Sequence, residues 1–320
     1  MRPRRQFTAV MLLAAFGAAA CSKREPAQAR KTSPDSAQTS PVPATAAAVL
    51  KADGEGFDPK LAAKVSGSFA DGEEAFHARK YGEATAIFEG YVERRPNNPW
   101  GHYMLGLSAW KHGDLAKSEQ AFERALTIDP SHMKSLVNAS RLFIDQKRYD
   151  EAIDRLTQAS EVDMDSAVVF RLLGRAYLAK GEADEAIEAY RAAIEIDEND
   201  AWSMNNLALI LLDAKRADEA LVLLARAVEL RGNVAEFHNN LGMALEHTGR
   251  FKAAAKAYGD ALTASPRYAK AKKNLARVEA VKGGPEAPFE VEQTAKTLEP
   301  ASKDNGADPE IADDERTGSK

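Results

Sequence analysis

The sequence is short of several things. It has one cysteine, Cys21, in 320 residues, so no disulfide within the chain is possible. Tryptophan occurs three times and aromatics make up 7% of the chain. There is no basic excess: the formal net charge is −5, which gives no electrostatic footprint for nucleic acid. The one long apolar run, residues 7–20, is too short to span a bilayer. The six histidines, His77, His102, His112, His132, His238 and His247, lack metal-ligand spacing. No nucleophile motif, phosphate-binding loop or metal cluster stands out, and Glu246-His247 reads as a surface pair. These absences point to a protein that is not an enzyme, with no cofactor, no metal and no small-molecule substrate.

What is present is a period. Residues 99–132 repeat at a spacing of 34 without a gap. Six units follow one another: 65–98, 99–132, 133–166, 167–200, 201–234 and 235–268. Position 8 of each unit is small: Gly72, Gly106, Ser140, Gly174, Ala208 and Gly242. So is position 20: Ala84, Ser118, Ala152, Ala186, Ala220 and Ala254. Position 24 is large: Phe88, Phe122, Leu156, Tyr190, Leu224 and Tyr258. Alanine holds position 27 in five units and proline holds position 32 in three: Pro96, Pro130 and Pro266. Two helices approach closely only where side chains are small, and proline stops the second helix. Each unit therefore reads as a pair of helices.

This set of positions resembles the tetratricopeptide repeat (TPR) family. The resemblance implies an all-α solenoid over residues 59–282: a right-handed superhelix of six helix-turn-helix repeats plus a C-terminal capping helix at 269–282. Such a chain grows by addition and needs no second core. The polar Asp71 at position 7 of the first unit suits an end repeat, which has no neighbour on one side.

The flanks read differently. Arg2, Arg4 and Arg5, the apolar run and Ala18-Ala19-Ala20 form a secretory signal pattern over residues 1–21. Cys21 directly after small residues resembles a bacterial lipobox, which implies lipidation of Cys21, an anchor in the cell envelope and, from Ser22, the outer membrane facing the periplasm. Ordinary signal cleavage with an incidental cysteine is the alternative. Arg4-Arg5 also resembles a twin-arginine signal, leaving the export route open between Sec and twin-arginine. Residues 22–58 are rich in Pro, Ala, Ser and Thr and read as a disordered tether. Residues 283–320 carry ten acidic and four basic side chains and read as a disordered acidic tail.

In the TPR family, the first helices line an inner face that binds extended peptides or helices. Positions 2, 5, 6, 9, 12 and 13 lie on that face by helical spacing. All three tryptophans map there, Trp100, Trp110 and Trp202, with Tyr103. They read as binding anchors, or as rings packed within the chain. Asparagine recurs at position 6 in Asn138, Asn206, Asn240 and Asn274, with Asn205 and Asn239 at position 5. A spaced row of amides suits the backbone of an extended peptide and resembles the asparagine ladder of protein O-glycosyltransferases. A conformational role in the repeat is the alternative. Arg141, Arg171 and Arg175 either read an acidic partner or pair with Asp145. The carboxylate-clamp pattern of chaperone-tail binders is absent, since Phe69 and Glu73 stand where Lys and Asn belong. The expectation is a non-catalytic scaffold binding a protein segment of unknown identity. The alternatives are an assembly factor for a type IV pilus secretin or another outer-membrane complex, and a non-binding spacer.

Overall fold

Position 15 of every unit lies where the chain must reverse between two helices. It takes the left-handed conformation in all six: Gly113, Gly181 and Gly249 at φ 97°, 96° and 75°, and Arg79, Lys147 and Lys215 at φ 60°, 61° and 63°. Glycine adopts this region freely, whereas a residue with Cβ is strained there. Exchange of Lys147 or Lys215 for glycine is therefore expected to stabilise the chain by up to ~1 kcal/mol. Chemical denaturation checks this; a loss of stability would show that the lysine side chains contribute more than the backbone strain costs.

The computed structural model describes residues 67–281 and 288–298. The expected signal segment with Cys21, the tether 22–58 and residues 299–320 lie outside the described residues. Among the described residues there are 14 α-helices and no strand. The first twelve form six hairpins: α1 (Phe69–His77) with α2 (Tyr81–Arg94), α3 (Pro99–His112) with α4 (Leu115–Ile128), α5 (Met133–Asp145) with α6 (Tyr149–Val162), α7 (Ala167–Lys180) with α8 (Ala183–Ile196), α9 (Ala201–Asp213) with α10 (Ala217–Leu230), and α11 (Ala235–His247) with α12 (Phe251–Ala264). α13 (Ala269–Glu279) packs on α12 as the expected cap. α14 (Val291–Ala295) continues into a 3-10 turn, Lys296–Leu298.

Within each hairpin the small position 8 meets the large position 24. Gly72 lies against Phe88, Gly106 against Phe122, Gly174 against Tyr190 and Gly242 against Tyr258. These four rings are all buried. The two units without glycine at position 8, Ser140 and Ala208, have leucine at position 24. Bulk added on one helix is removed from the other, as dense packing requires. Between hairpins, the second helix of one unit packs on the first helix of the next. Neighbouring first helices also touch, as α3 does α5 and α5 does α7. Neighbouring second helices are joined by long side chains: Arg148 reaches Glu119 at 2.6 Å, Arg155 reaches Glu123 at 2.7 Å, and Lys117 pairs with Glu89. The stack in residues 67–281 thus has an inner face of first helices and an outer face of second helices.

Two expectations are refined here. Asp71 is more than a tolerated end-repeat residue: its carboxylate accepts from the Ser68 N–H at 2.7 Å and completes a capping box that starts α1. The tail expected to be disordered from 283 departs from that reading at 288–298. There the chain forms α14 and its turn, which pack against α10, with Ala295 fully buried.

Candidate functional site

The inner face has three parts. The first is aromatic. The Trp100 ring stands edge-on to His132 with centroids 4.7 Å apart, and Tyr103 lies 5.9 Å from Trp100 and 5.5 Å from His132. Lys134 Nζ sits 4.8 Å from the centre of the Trp100 ring, a cation–π distance. Trp100 remains 37% exposed. Tyr103, expected as a second anchor, is by contrast 8% exposed and packs on Phe122. Tyr103 lies against His132, which caps the next first helix. Trp110 is half-buried against the core, with Lys111 Nζ 5.5 Å from the centre of its ring.

His132 was not singled out by its spacing, yet it organises this end. It caps α5: its Nδ1 accepts from the Ser135 N–H at 3.3 Å and faces the Ser135 hydroxyl at 2.8 Å. An accepting Nδ1 leaves the proton on Nε2, which is buried without a hydrogen-bond partner among the described residues. Burial holds the pKa of His132 below its usual 6.5, and the same cause lowers that of His102, whose Nε2 meets the Pro96 carbonyl at 3.0 Å. The unfolded chain then takes up these protons first. Stability is full above about pH 6.5 and is lost as pH falls below it. The melting temperature is expected to drop between pH 7 and pH 5. His132→Ser, which keeps a capping side chain, is expected to flatten the slope. An unchanged slope in that variant would remove His132 from the account.

The second part is cationic. Arg171 donates from Nη1 to Asp200 Oδ1 at 2.7 Å. Asp200 is 3% exposed, caps α9 and accepts from the Ser203 hydroxyl at 2.6 Å. Arg175 pairs with Asp145 at 3.6 Å, with both side chains about half exposed, a pair of small worth. Arg171 and Arg175, expected to read an acidic partner or to pair with Asp145, thus each have a carboxylate within the chain. Arg141 is half-buried, and its one hydrogen bond among the described residues runs to Asn138 Oδ1 at 3.4 Å. Burial and the like charges of Arg171 and Arg175 lower its pKa from the guanidinium range. Asp200→Ala is expected to cost about 2–4 kcal/mol, from the lost cap and the orphaned guanidinium. Urea denaturation measures it, and a loss under ~1 kcal/mol would mean solvent compensates Arg171 fully.

The third part is a chain of amides. Asn274 donates to Asn239 at 3.0 Å, Asn239 to Asn240 at 3.2 Å, Asn240 to Asn205 at 2.8 Å and Asn205 to Asn206 at 3.2 Å. Arg277 extends it at one end, donating to Asn274 at 3.1 Å and to Glu246 Oε2 at 2.9 Å. At the other end lies Asn206, in the surroundings of the Tyr190 hydroxyl, whose pKa burial pushes up to about 12. Asn205, Asn239 and Asn240 are 0%, 2% and 5% exposed. These three, expected to grip a peptide, bond one another between α9 and α11, and Asn239 also accepts from Asn274 of α13. Asn206 and Asn274 are half-exposed at its two ends. Asn138 stands apart, donating to the Lys134 carbonyl at 2.8 Å. Trp202 rises beside this chain, 38% exposed, edge-to-face with the buried Phe237 ring at a centroid distance of 4.9 Å.

The inner face therefore has accessible rings at Trp100 and Trp202, an under-paired guanidinium at Arg141, half-exposed amide-chain ends at Asn206 and Asn274, and a separate half-exposed amide at Asn138. Among the described residues no group of three or more His, Cys, Asp or Glu is placed to hold a metal ion. No helix among them is long and apolar enough to cross a membrane.

Comparison with known proteins agrees with the period. Tetratricopeptide repeat models match residues 69–132, 205–269 and 248–287, and another matches 109–176. A TPR repeat model matches residues 174–215, so that together the matches run from 69 to 287. The Hsp70-Hsp90 organizing protein 1 of Glycine max is 26% identical over 109 residues, 34% of this chain and 18% of that protein. Stress-induced-phosphoprotein 1 of Caenorhabditis elegans is 25% identical over 77 residues, 24% of each chain. The chain thus spans a quarter or less of these relatives' lengths. Among solved structures, that of Pseudomonas aeruginosa PilF aligns with a TM-score of 0.58 at 18% identity, covering 68% of this chain and 97% of that one. A tetratricopeptide repeat protein from Parabacteroides merdae aligns with a TM-score of 0.50 at 15% identity, covering 66% and 82%. With the hairpin period, the helix pairing and these matches in agreement, the chain belongs to the tetratricopeptide repeat family.

Proposed function

We propose that the inner face is a docking groove for a segment of a partner protein, with apolar residues seated on Trp100 and Trp202 and an acidic residue over Arg141. The tetratricopeptide repeat is a non-catalytic interaction fold, and its relatives support a protein-interaction scaffold. The observation that carries the acidic preference is the charge of Arg141. It sits half-buried beside two further arginines, and among the described residues only those two pair with carboxylates. A partner carboxylate would relieve the repulsion and bond the guanidinium in the bidentate way arginine favours. Once a partner is captured, titration against the Arg141→Glu chain is the test. Binding is expected to weaken at least about tenfold and to lose part of its salt dependence; equal affinity would dismiss the acidic preference.

The finer reading places this scaffold in a bacterial envelope, anchored through a lipid on Cys21. The basic end, apolar run and small residues before Cys21 support it. Labelling cells with a fatty-acid analogue should mark the wild-type chain and not Cys21→Ser; label on both would overturn it. An assembly role for a pilus secretin is supported at the level of fold by the likeness to Pseudomonas aeruginosa PilF. Loss of secretin multimers in a deletion strain would support that role, and intact multimers would reject it. A spacer without a groove is the contrary reading, and nothing in its favour explains the exposed indoles.

A further inference from the structure

The outer face changes character at α10. Position 25 of the repeat, on the second helix, is Glu89, Glu123, Thr157 and Arg191 in the first four units. All four are exposed or half-exposed, and two of them make ion pairs between second helices. In α10 that position is Ala225, fully buried, in a run of five apolar residues from Leu221 to Ala225. Leu221, Ala225 and Val228 form one buried stripe at helical spacing. The cover is the chain's own segment 288–298. α14 and its 3-10 turn pack on α10, with Phe289, Val291 and Leu298 half-buried and Ala295 fully buried.

A five-residue helix does not hold itself together in water, so this one is ordered by the surface it lies on. The fit is incomplete. Beside Phe289 and Val291 a half-open pocket of about 300 Å³ remains, lined also by Leu241 and Leu245 of α11 and by Lys252, Lys256 and Asp260 of α12. An apolar surface on α10 that the four preceding second helices lack at this position, occupied by a short segment that under-fills it, has the form of a peptide site holding its own ligand.

We propose that the outer face of α10, with the slot toward α12, is a second docking site for a short amphipathic helix, and that residues 288–298 are its resident occupant. The partner segment it fits repeats the pattern of Phe289, Val291, Ala295 and Leu298: apolar, apolar two residues on, small four further, apolar three further. Acidic residues stand at the places of Glu290 and Glu292, and a bulkier group fills the slot beside Val291. The resident segment competes with such a partner at the high effective concentration of a tether. This site is separate from the inner face and does not depend on it.

The test uses a fluorescent peptide of residues 286–300 and the full chain. In one variant Phe289→Asp and Leu298→Asp release the resident segment. In another a protease site within 282–287 allows it to be cut free. Fluorescence anisotropy should show the peptide binding the released or cut chain at least about tenfold more tightly than the intact one. Adding Ala225→Glu to the released chain should abolish this, and a Val291→Leu peptide should bind more tightly than the native sequence. The cut chain keeps the groove unmutated, so a folding defect in the doubly substituted variant leaves the test valid. Equal binding to cut and intact chains, or binding insensitive to Ala225→Glu, would overturn the proposal.

Discussion

Gly174→Leu is expected to damage the fold before anything else, lowering stability by at least ~3 kcal/mol. A Cβ at residue 174 would lie 2.8 Å from Tyr190 Cδ1. Tyr190 is 1% exposed, and its ring is the body of the contact rather than a flexible tip. The helix cannot withdraw without opening the junctions on either side, since each repeat is held by its neighbours. Gly242 is tighter still, with its Cβ 2.5 Å from Tyr258 Cε1. For an array of this size the loss corresponds to a fall in melting temperature of roughly 6–12 °C. The chain itself supplies the rescue. Ala208 faces Leu224 in the fifth unit, so Gly174→Ala with Tyr190→Leu copies a pairing the fold already uses. The double variant is expected to be more stable than Gly174→Ala alone, with a coupling of about 1–3 kcal/mol in a double-mutant cycle. Strict additivity would mean that the two positions do not share one contact.

Replacing Trp100 and Trp202 with alanine has the opposite profile. Both rings are more than a third exposed, and each also covers a neighbour: Trp100 lies on His132, and Trp202 on the fully buried Phe237. Losing an edge-to-face contact of this kind costs about 1 kcal/mol, with a further cost for uncovering Phe237. Each single substitution is therefore expected to lower stability by ~1–2 kcal/mol while helical content is unchanged. Partner affinity is expected to fall by 2 kcal/mol or more per ring, about thirtyfold, as for a central aromatic anchor. Circular dichroism melts and a binding titration separate the two effects. A stability loss as large as that of Gly174→Leu, with affinity unchanged in the folded fraction, would make these rings part of the core.

The repeat architecture was legible because it depends on local size and spacing. Positions 8, 20, 24, 27 and 32 recur at a fixed period, and each recurrence has a steric cause that holds whatever surrounds it. The reversal at position 15 was half legible: three units announce it with glycine, and Arg79, Lys147 and Lys215 hide it. The inner face was legible as a set of positions and not as a set of contacts. Asn205 and Asn240 are 35 residues apart, and nothing in a single helix shows that their amides meet at 2.8 Å. Tyr103 and Trp100 look alike by spacing, and only the seating of the next helix buries one and leaves the other open. His132 was obscured because its role is a helix cap joined to an aromatic contact, two features that leave no periodic trace. The segment 288–298 was read as disordered from its polar composition. A five-residue helix carries too few residues for a hydrophobic period to show, and its order depends on a surface more than sixty residues earlier in the chain.

Photo-crosslinking residues placed one at a time on the two faces, in the full chain in its own cells, measure most directly whether the inner face is where a partner lies. Positions 100, 141 and 202 on first helices should each capture the same protein, and the outward positions Thr157 and Arg191 should not. Capture from the outer positions with none from the inner ones would contradict the assignment of the groove.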